Sequence, residues 1–174
     1  HISRVVIHPK NPNIVFVAAQ GALYGPNKER GIFKSVDGGV TWNKILYVNN
    51  LTGCSELSMD YNNPLVMYAA MWEHQRLPWK VISGGPGSGL YKTTDGGITW
   101  NQIHNGLPKE KGKMAIAVSR SNSEKVYALV ESDSNKELGG LFASSNGGEN
   151  WSKISSDHSL IQRAWYYIEL FIDP

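Results

Sequence analysis

Short, nearly continuous apolar runs alternate along the chain with clusters of glycine, proline and asparagine, and no stretch sustains a helical period. Runs such as Val5-Val6-Ile7 and Ile14-Val15-Phe16-Val17-Ala18 have the character of strands covered on both faces. The segment from Val5 to Ala18 lines up with Leu57 to Ala70 and with Ile116 to Leu129, and Ile168 to Pro174 opens a fourth copy. One position of this segment recurs at His8, Asp60, Ser119 and Asp173, in steps of 52, 59 and 54 residues. In the first repeat the pattern predicts strands over Val5–His8, Ile14–Ala19 and Gly31–Ser35, with a fourth beginning at Thr41-Trp42. Repeats of about 50 residues with several short strands each indicate a propeller or array. Four-stranded units stacked face to face give a β-propeller.

The expected fold is therefore all-β: three four-stranded blades plus the first strand of a fourth. The blades fall at about 2–47, 55–104 and 114–155, and the fourth starts at about 165–174. Rings of this kind close with ~4–8 blades, so the chain is expected to pack against the rest of its own propeller.

Each third strand runs into a shared motif. Ser35-Val36-Asp37-Gly38-Gly39-Val40-Thr41-Trp42 returns as Thr93-Thr94-Asp95-Gly96-Gly97-Ile98-Thr99-Trp100, and in altered form as Ser144-Ser145-Asn146-Gly147-Gly148-Glu149-Asn150-Trp151. Aspartate followed by two glycines between apolar runs makes a hairpin turn, because glycine takes positive φ without a steric cost. The carboxylate is expected to accept hydrogen bonds from backbone amides just ahead of it, and the hydroxyls to join the same network. The tryptophan then opens the next strand and is expected to be buried. Asn146 retains one acceptor. These are scaffold features, since each aspartate faces its own backbone.

The motif Ser/Thr-x-Asp-Gly-Gly-x-Thr-Trp resembles the Asp-box, or bacterial neuraminidase repeat, which marks one hairpin per blade in the propellers of sialidases, xyloglucanases and sortilins. Arg30-Gly31-Ile32-Phe33, the loop from Trp79 to Gly89, and Arg163-Ala164-Trp165-Tyr166-Tyr167 resemble large secreted prokaryotic proteins with sortilin-type repeats, which are often grouped with glycosyl hydrolases by analogy. The resemblance implies an extracellular or cell-envelope location.

Composition narrows the function classes. Seventeen Lys and Arg stand against 15 Asp and Glu, a formal charge of +2 spread along the chain, which gives no basic face for nucleic acid. No apolar run is long enough for a membrane-spanning helix. The lone Cys54 excludes an intrachain disulfide and reads as a small buried hydrophobe. Five histidines show no metal-ligand spacing, and the glycine-rich 84–89 segment lacks the Lys-Ser/Thr of a phosphate loop. No cofactor is implied. Asn50-Leu51-Thr52 and Asn150-Trp151-Ser152 fit the N-glycosylation pattern, which matters only in a eukaryotic secretory route.

Strands that alternate in direction put the first-to-second and third-to-fourth turns on one face, and the other two connections on the opposite face. The second-to-third connections span residues 20–30, 72–88 and 131–139, with lengths of 11, 17 and 9. Variable loops on a rigid scaffold are where binding residues concentrate. The binding candidates are Tyr24 and Arg30; Trp72, Glu73, Arg76 and Trp79; and Arg163 and Trp165. His74, Lys80, Glu131, Asp133 and Gln162 accompany them, beside a Ser83-to-Gly89 stretch expected to be mobile. Aromatics beside arginine and carboxylates suit a glycan, or a peptide or protein ligand held by charge and stacking. The alternative is that Trp72, Trp79 and Trp165 plug gaps between blades while Arg76 and Arg163 pair locally.

Two functions compete, a binding scaffold for protein, peptide or glycan and part of a glycoside hydrolase, with a purely architectural spacer in a large surface assembly as a third, plainer possibility. The second needs two carboxylates about 5–10 Å apart. Glu29, Glu73, Glu131, Asp133 and Asp157 are the available ones, and spacing alone does not pair them. The Arg-Ile-Pro motif expected of a sialidase is absent from the sequence.

Overall fold

The computed structural model describes residues 1–132 and 138–173. Three antiparallel sheets follow one another along the chain. The first is β1 (Ile2–Ile7), β2 (Val15–Ala19), β3 (Gly31–Ser35) and β4 (Asn43–Leu46), hydrogen-bonded in that order. The second holds β5 (Thr52–Met59), β6 (Met67–Arg76), β8 (Gly89–Thr93) and β9 (Asn101–Ile103), with the short β7 (Val81–Ser83) added to the far end of β6. The third is β10 (Met114–Val118), β11 (Val126–Val130), β12 (Gly140–Ser144) and β13 (Ser152–Ser155). A three-residue 3-10 turn, His158–Leu160, follows, capped by the Asp157 carboxylate on the Ser159 amide. Among the described residues no helix is long and apolar enough to cross a membrane.

The core lies between sheets. Phe16, Ala18 and Ile32 of the first sheet meet Leu57, Met67, Ala69 and Met71 of the second. The other side of the second sheet, Tyr68, Ala70 and Leu90, meets Ile116, Val126, Ala128 and Phe142 of the third. Alternate residues of β6 thus serve different neighbours, which explains the continuous apolar runs. Ala115 and Leu129, on the far side of the third sheet, are covered by Ile161, Ala164 and Ile168. Within the stretch 165–174 expected to start a fourth blade, Ile168 packs against the third sheet, and residues 168–173 form no ladder pairs among the described residues. Together with β1, β5 and β10, residues 170–172 wall an axial cavity of about 310 Å³.

The three repeated turns are built alike. Ser35 Oγ donates to Asp37 Oδ1 at 2.7 Å, the Thr41 amide donates to Asp37 Oδ1 at 2.9 Å, and Thr41 Oγ1 donates to Asp37 Oδ2 at 2.6 Å. Thr93, Asp95 and Thr99 reproduce this set. In the third copy Asn146 Oδ1 still accepts from Ser144 Oγ and from the Asn150 amide. Both glycines of each of these turns have positive φ, as at Gly38 (73°) and Gly39 (96°). Each hairpin is also tied to the β1–β2-type turn of its own sheet, with Gly38, Gly96 and Gly147 amides donating to the carbonyls of Asn13, Leu65 and Glu124, all at 2.9 Å. The two turns therefore share one face.

Two expectations for this motif need correction. The fourth strands start after the tryptophan, at Asn43 in the first sheet, because the Trp42 indole turns back to donate to the Gly39 carbonyl at 2.9 Å. Burial is also unequal: Trp151 is 5 % exposed and Trp42 is 40 % exposed. Trp151 packs into the cluster between the second and third sheets, whereas among the described residues no sheet precedes that of Trp42.

Candidate functional site

On the face opposite these turns, the second-to-third connections meet the segment 161–167. Residues 72–76, read from sequence as loop, continue strand β6, and 74–76 pair with β7 in a hairpin. The local pattern supports this: Trp72 and His74 are buried, and the half-buried Glu73 and Gln75 alternate with them. The turn of the hairpin closes on Leu77 and Lys80, whose amides and carbonyls bond reciprocally, and it lifts Trp79 outward to 81 % exposure.

Arg30 and Trp72, expected among the ligand contacts, are fully buried in a frame beneath the surface. The Arg30 guanidinium is fully buried and donates to the carbonyls of Leu51 and Ala22, both at 2.6 Å, and of Gly25 at 3.3 Å. It also lies 3.1 Å from His74 Nδ1. Carbonyl dipoles thus solvate this cation in place of water. Burial, reinforced by the Arg30 charge, lowers the His74 pKa to about 4, so its ring is neutral at ordinary pH. The ring stacks on Trp72 with centroids 4.1 Å apart, and Trp165 meets Trp72 edge-on at 4.7 Å. Trp165 is half-buried, so part of its ring seals the frame.

A hydrogen-bonded chain leads from this frame to the third sheet. Trp72 Nε1 donates to Ser83 Oγ at 3.1 Å, and Ser83 Oγ donates to Glu131 Oε2 at 2.6 Å. The Lys113 amide donates to the same carboxylate oxygen at 2.8 Å. Lys113 Nζ sits 5.3 Å from the Trp72 ring centroid and donates to the Trp165 carbonyl at 3.1 Å. Glu73 is also engaged: its Oε2 accepts from the Gly87 amide at 2.8 Å, and its own amide donates to Ser88 Oγ. The 83–89 stretch is accordingly packed, correcting the mobile reading. A Cβ on Gly87 would lie 2.1 Å from Thr52 Oγ1, and one on Gly85 2.4 Å from the Glu73 side chain.

The remaining candidates form the exposed rim. Arg76 Nη1 donates to the Tyr166 hydroxyl at 2.9 Å, and the Arg76 amide donates to the Leu23 carbonyl, next to the exposed Tyr24. The Tyr166 hydroxyl is the first cause raising the Arg76 pKa, and Tyr24 adds to it from across the blade boundary. Tyr167 lies with its ring 6.1 Å from that of Tyr166. Tyr24, Arg76 and Tyr166 thus make one platform from three segments, with Trp79 raised on the adjoining hairpin tip. Arg163 is exposed, and its carbonyl accepts from the amides of Tyr166 and Tyr167 in a tight turn. Asp133 lies outside the described residues. Tyr166 and Lys113 were not singled out from sequence; the aromatic run 165–167 carried a signal for the first, whereas nothing local marks the second.

The stacked sheets and their matching hairpins define a BNR-type β-propeller fold. Residues 91–102 match the BNR/Asp-box repeat. The GH74 xyloglucanase from Xanthomonas campestris superposes with a TM-score of 0.70 at 18 % identity, over 99 % of this chain and 25 % of that one. The GH74 enzyme of Niastella koreensis gives 0.57 at 25 % identity, over 87 % of this chain and 22 % of that one. YCF48 bound to D1 peptide gives 0.50 at 17 % identity, over 87 % of this chain and 38 % of that one. This chain therefore spans about a quarter or less of the GH74 proteins and under two fifths of YCF48. No curated protein matches it.

Proposed function

We propose that this chain is a segment of a secreted or cell-envelope propeller that binds an extended peptide or glycan on its loop face. The observation that carries this reading is the Tyr24–Arg76–Tyr166 platform. Exposed aromatics around one guanidinium offer stacking faces and a fixed donor, which suits recognition of sugar rings or peptide groups. Platform residues come from separate segments already held by the buried Arg30–Trp72–His74 frame, so little ordering is needed on binding.

Hydrolysis is the second reading, favoured by the likeness to GH74 enzymes. Against it, Glu73 and Glu131 each accept backbone or hydroxyl hydrogen bonds that hold the loops together. A carboxylate serving structure in this way is poorly placed to act as general acid or nucleophile, which argues for binding.

The test is a peptide and glycan array on the full-length protein, followed by affinity and turnover measurements on the best hits. Trp79→Ala and Arg76→Ala are expected to weaken binding by about tenfold or more each, a loss of at least ~1.4 kcal/mol, without lowering thermal stability. Turnover that survives both variants and vanishes in Glu131→Gln would favour the hydrolase.

A further inference from the structure

A cleft of about 490 Å³ opens beside the frame, between residues 83–86 of the β7–β8 connection and residues 109–111 of the β9–β10 connection. Its unusual member is Lys111. This lysine is only 6 % exposed, and among the described residues its ammonium makes one long hydrogen bond, to the Lys109 carbonyl at 3.4 Å. A buried ammonium has three donors and a charge that ordinarily recruits a carboxylate. Among the described residues none forms an ion pair with it, and burial alone lowers its pKa. The contrast with Arg30, whose guanidinium is ringed by carbonyls, is direct.

The surroundings select the ligand. A single carboxylate matches one ammonium in charge and hydrogen bonding. The opposite wall is nearly side-chain-free backbone, Gly84-Gly85-Pro86, and leads out of β7, which pairs only with β6 among the described residues. An unpaired strand edge takes up an extended chain through backbone hydrogen bonds. We infer that this cleft seats a carboxylate side chain of an acidic peptide that runs along β7, with Lys111 Nζ as its counter-ion. The inference rests on the loop face being the binding face and names the chemistry of one subsite on it.

The experiment follows the Lys111 side-chain signals by NMR in the intact protein, with lysines labelled at Cε and Nζ. An acetylated, amidated Gly-Glu-Gly-Glu-Gly peptide is titrated against its Gln counterpart, trigalacturonate, sodium phosphate and sodium chloride. The expected result is a saturable shift at Lys111 with the Glu peptide and little with the others. Lys111→Met, which keeps the apolar stem, is expected to weaken that binding at least tenfold, while Lys111→Arg retains part of it. No shift at Lys111, or an equal shift with the Gln peptide, phosphate or chloride, overturns the carboxylate site. A response to trigalacturonate alone overturns the peptide assignment. The direct readout on the unsubstituted protein stands even if Lys111→Met does not fold. Normal Lys111 saturation with unaltered affinity in Trp79→Ala and Arg76→Ala would instead count against the platform.

Discussion

Asp37 shows how one carboxylate can organise eight residues while remaining at the surface. The Thr41 hydroxyl first, then the Thr41 amide and Ser35, hold its pKa at about 2, against an ordinary 3.8. Asp95, held by the equivalent Thr99 and Thr93 contacts, is displaced in the same direction. A depressed carboxylate pKa contributes stability that is present above the unfolded value and lost as pH falls through the folded one. The Asp37 hairpin should therefore loosen between about pH 4 and pH 2 and the Asp95 hairpin over a window that reaches lower, whereas the third, with Asn146, should not titrate. Carboxyl-carbon NMR across that range checks it. In thermal melts Asp37→Ala should lower stability more than Asp37→Asn, because the natural Asn146 hairpin shows that an amide oxygen suffices for the main contacts. His74 behaves in the opposite setting. Its neutral ring refuses a proton until about pH 4, while the unfolded chain accepts one near 6.5, so stability falls as pH drops through that interval. The loss should be on the order of 3 kcal/mol by pH 4. Denaturant unfolding at several pH values should show that slope in the parent protein and its removal in His74→Gln.

Blade contacts at the level of elements depend on close backbone approach and on lysines that reach across. Lys34 Nζ donates to the Gly96 carbonyl at 2.9 Å, and Lys92 Nζ to the Gly147 carbonyl at 2.7 Å, so a third-strand lysine touches the next sheet's hairpin twice in succession. At Gly53 of β5 a Cβ would stand 2.1 Å from the Gln20 carbonyl oxygen of the preceding sheet. Gly53→Ala should therefore destabilise the chain by about 1–3 kcal/mol through overpacking, measurable as a lowered denaturant midpoint with unchanged slope. The four-stranded pattern of the sheets and the three hairpins were legible from sequence, since apolar runs, turn residues and Asp-Gly-Gly recur at near-regular spacing. The β6–β7 hairpin was not. Its length lies outside the repeat, and the Pro78-Trp79 tip and the glycines after it imitate an irregular loop.

For the whole molecule the division between faces matters most. Repetition specifies the hairpin face, so its architecture follows from local sequence. The loop face is assembled from segments far apart in the chain, and the residues singled out there from sequence fall into two layers. Arg30 and Trp72 belong to the buried frame; Tyr24, Arg76 and Trp79 belong to the rim; and Tyr166 completes the platform from 90 residues away in sequence. Only packing separates an arginine solvated by carbonyls from one presented to a ligand, because residue type is the same in both. Cys54 confirms the complementary lesson: it is fully buried, and burial pushes its thiol pKa upward, as befits a core residue. The most direct test of the division is a paired measurement of melting temperature and ligand affinity on Asp95→Ala and Arg76→Ala, using the best array hit. Lower melting with intact affinity for Asp95→Ala, and the reverse for Arg76→Ala, is the predicted outcome. Loss of affinity in an Asp95→Ala protein that melts normally would contradict it.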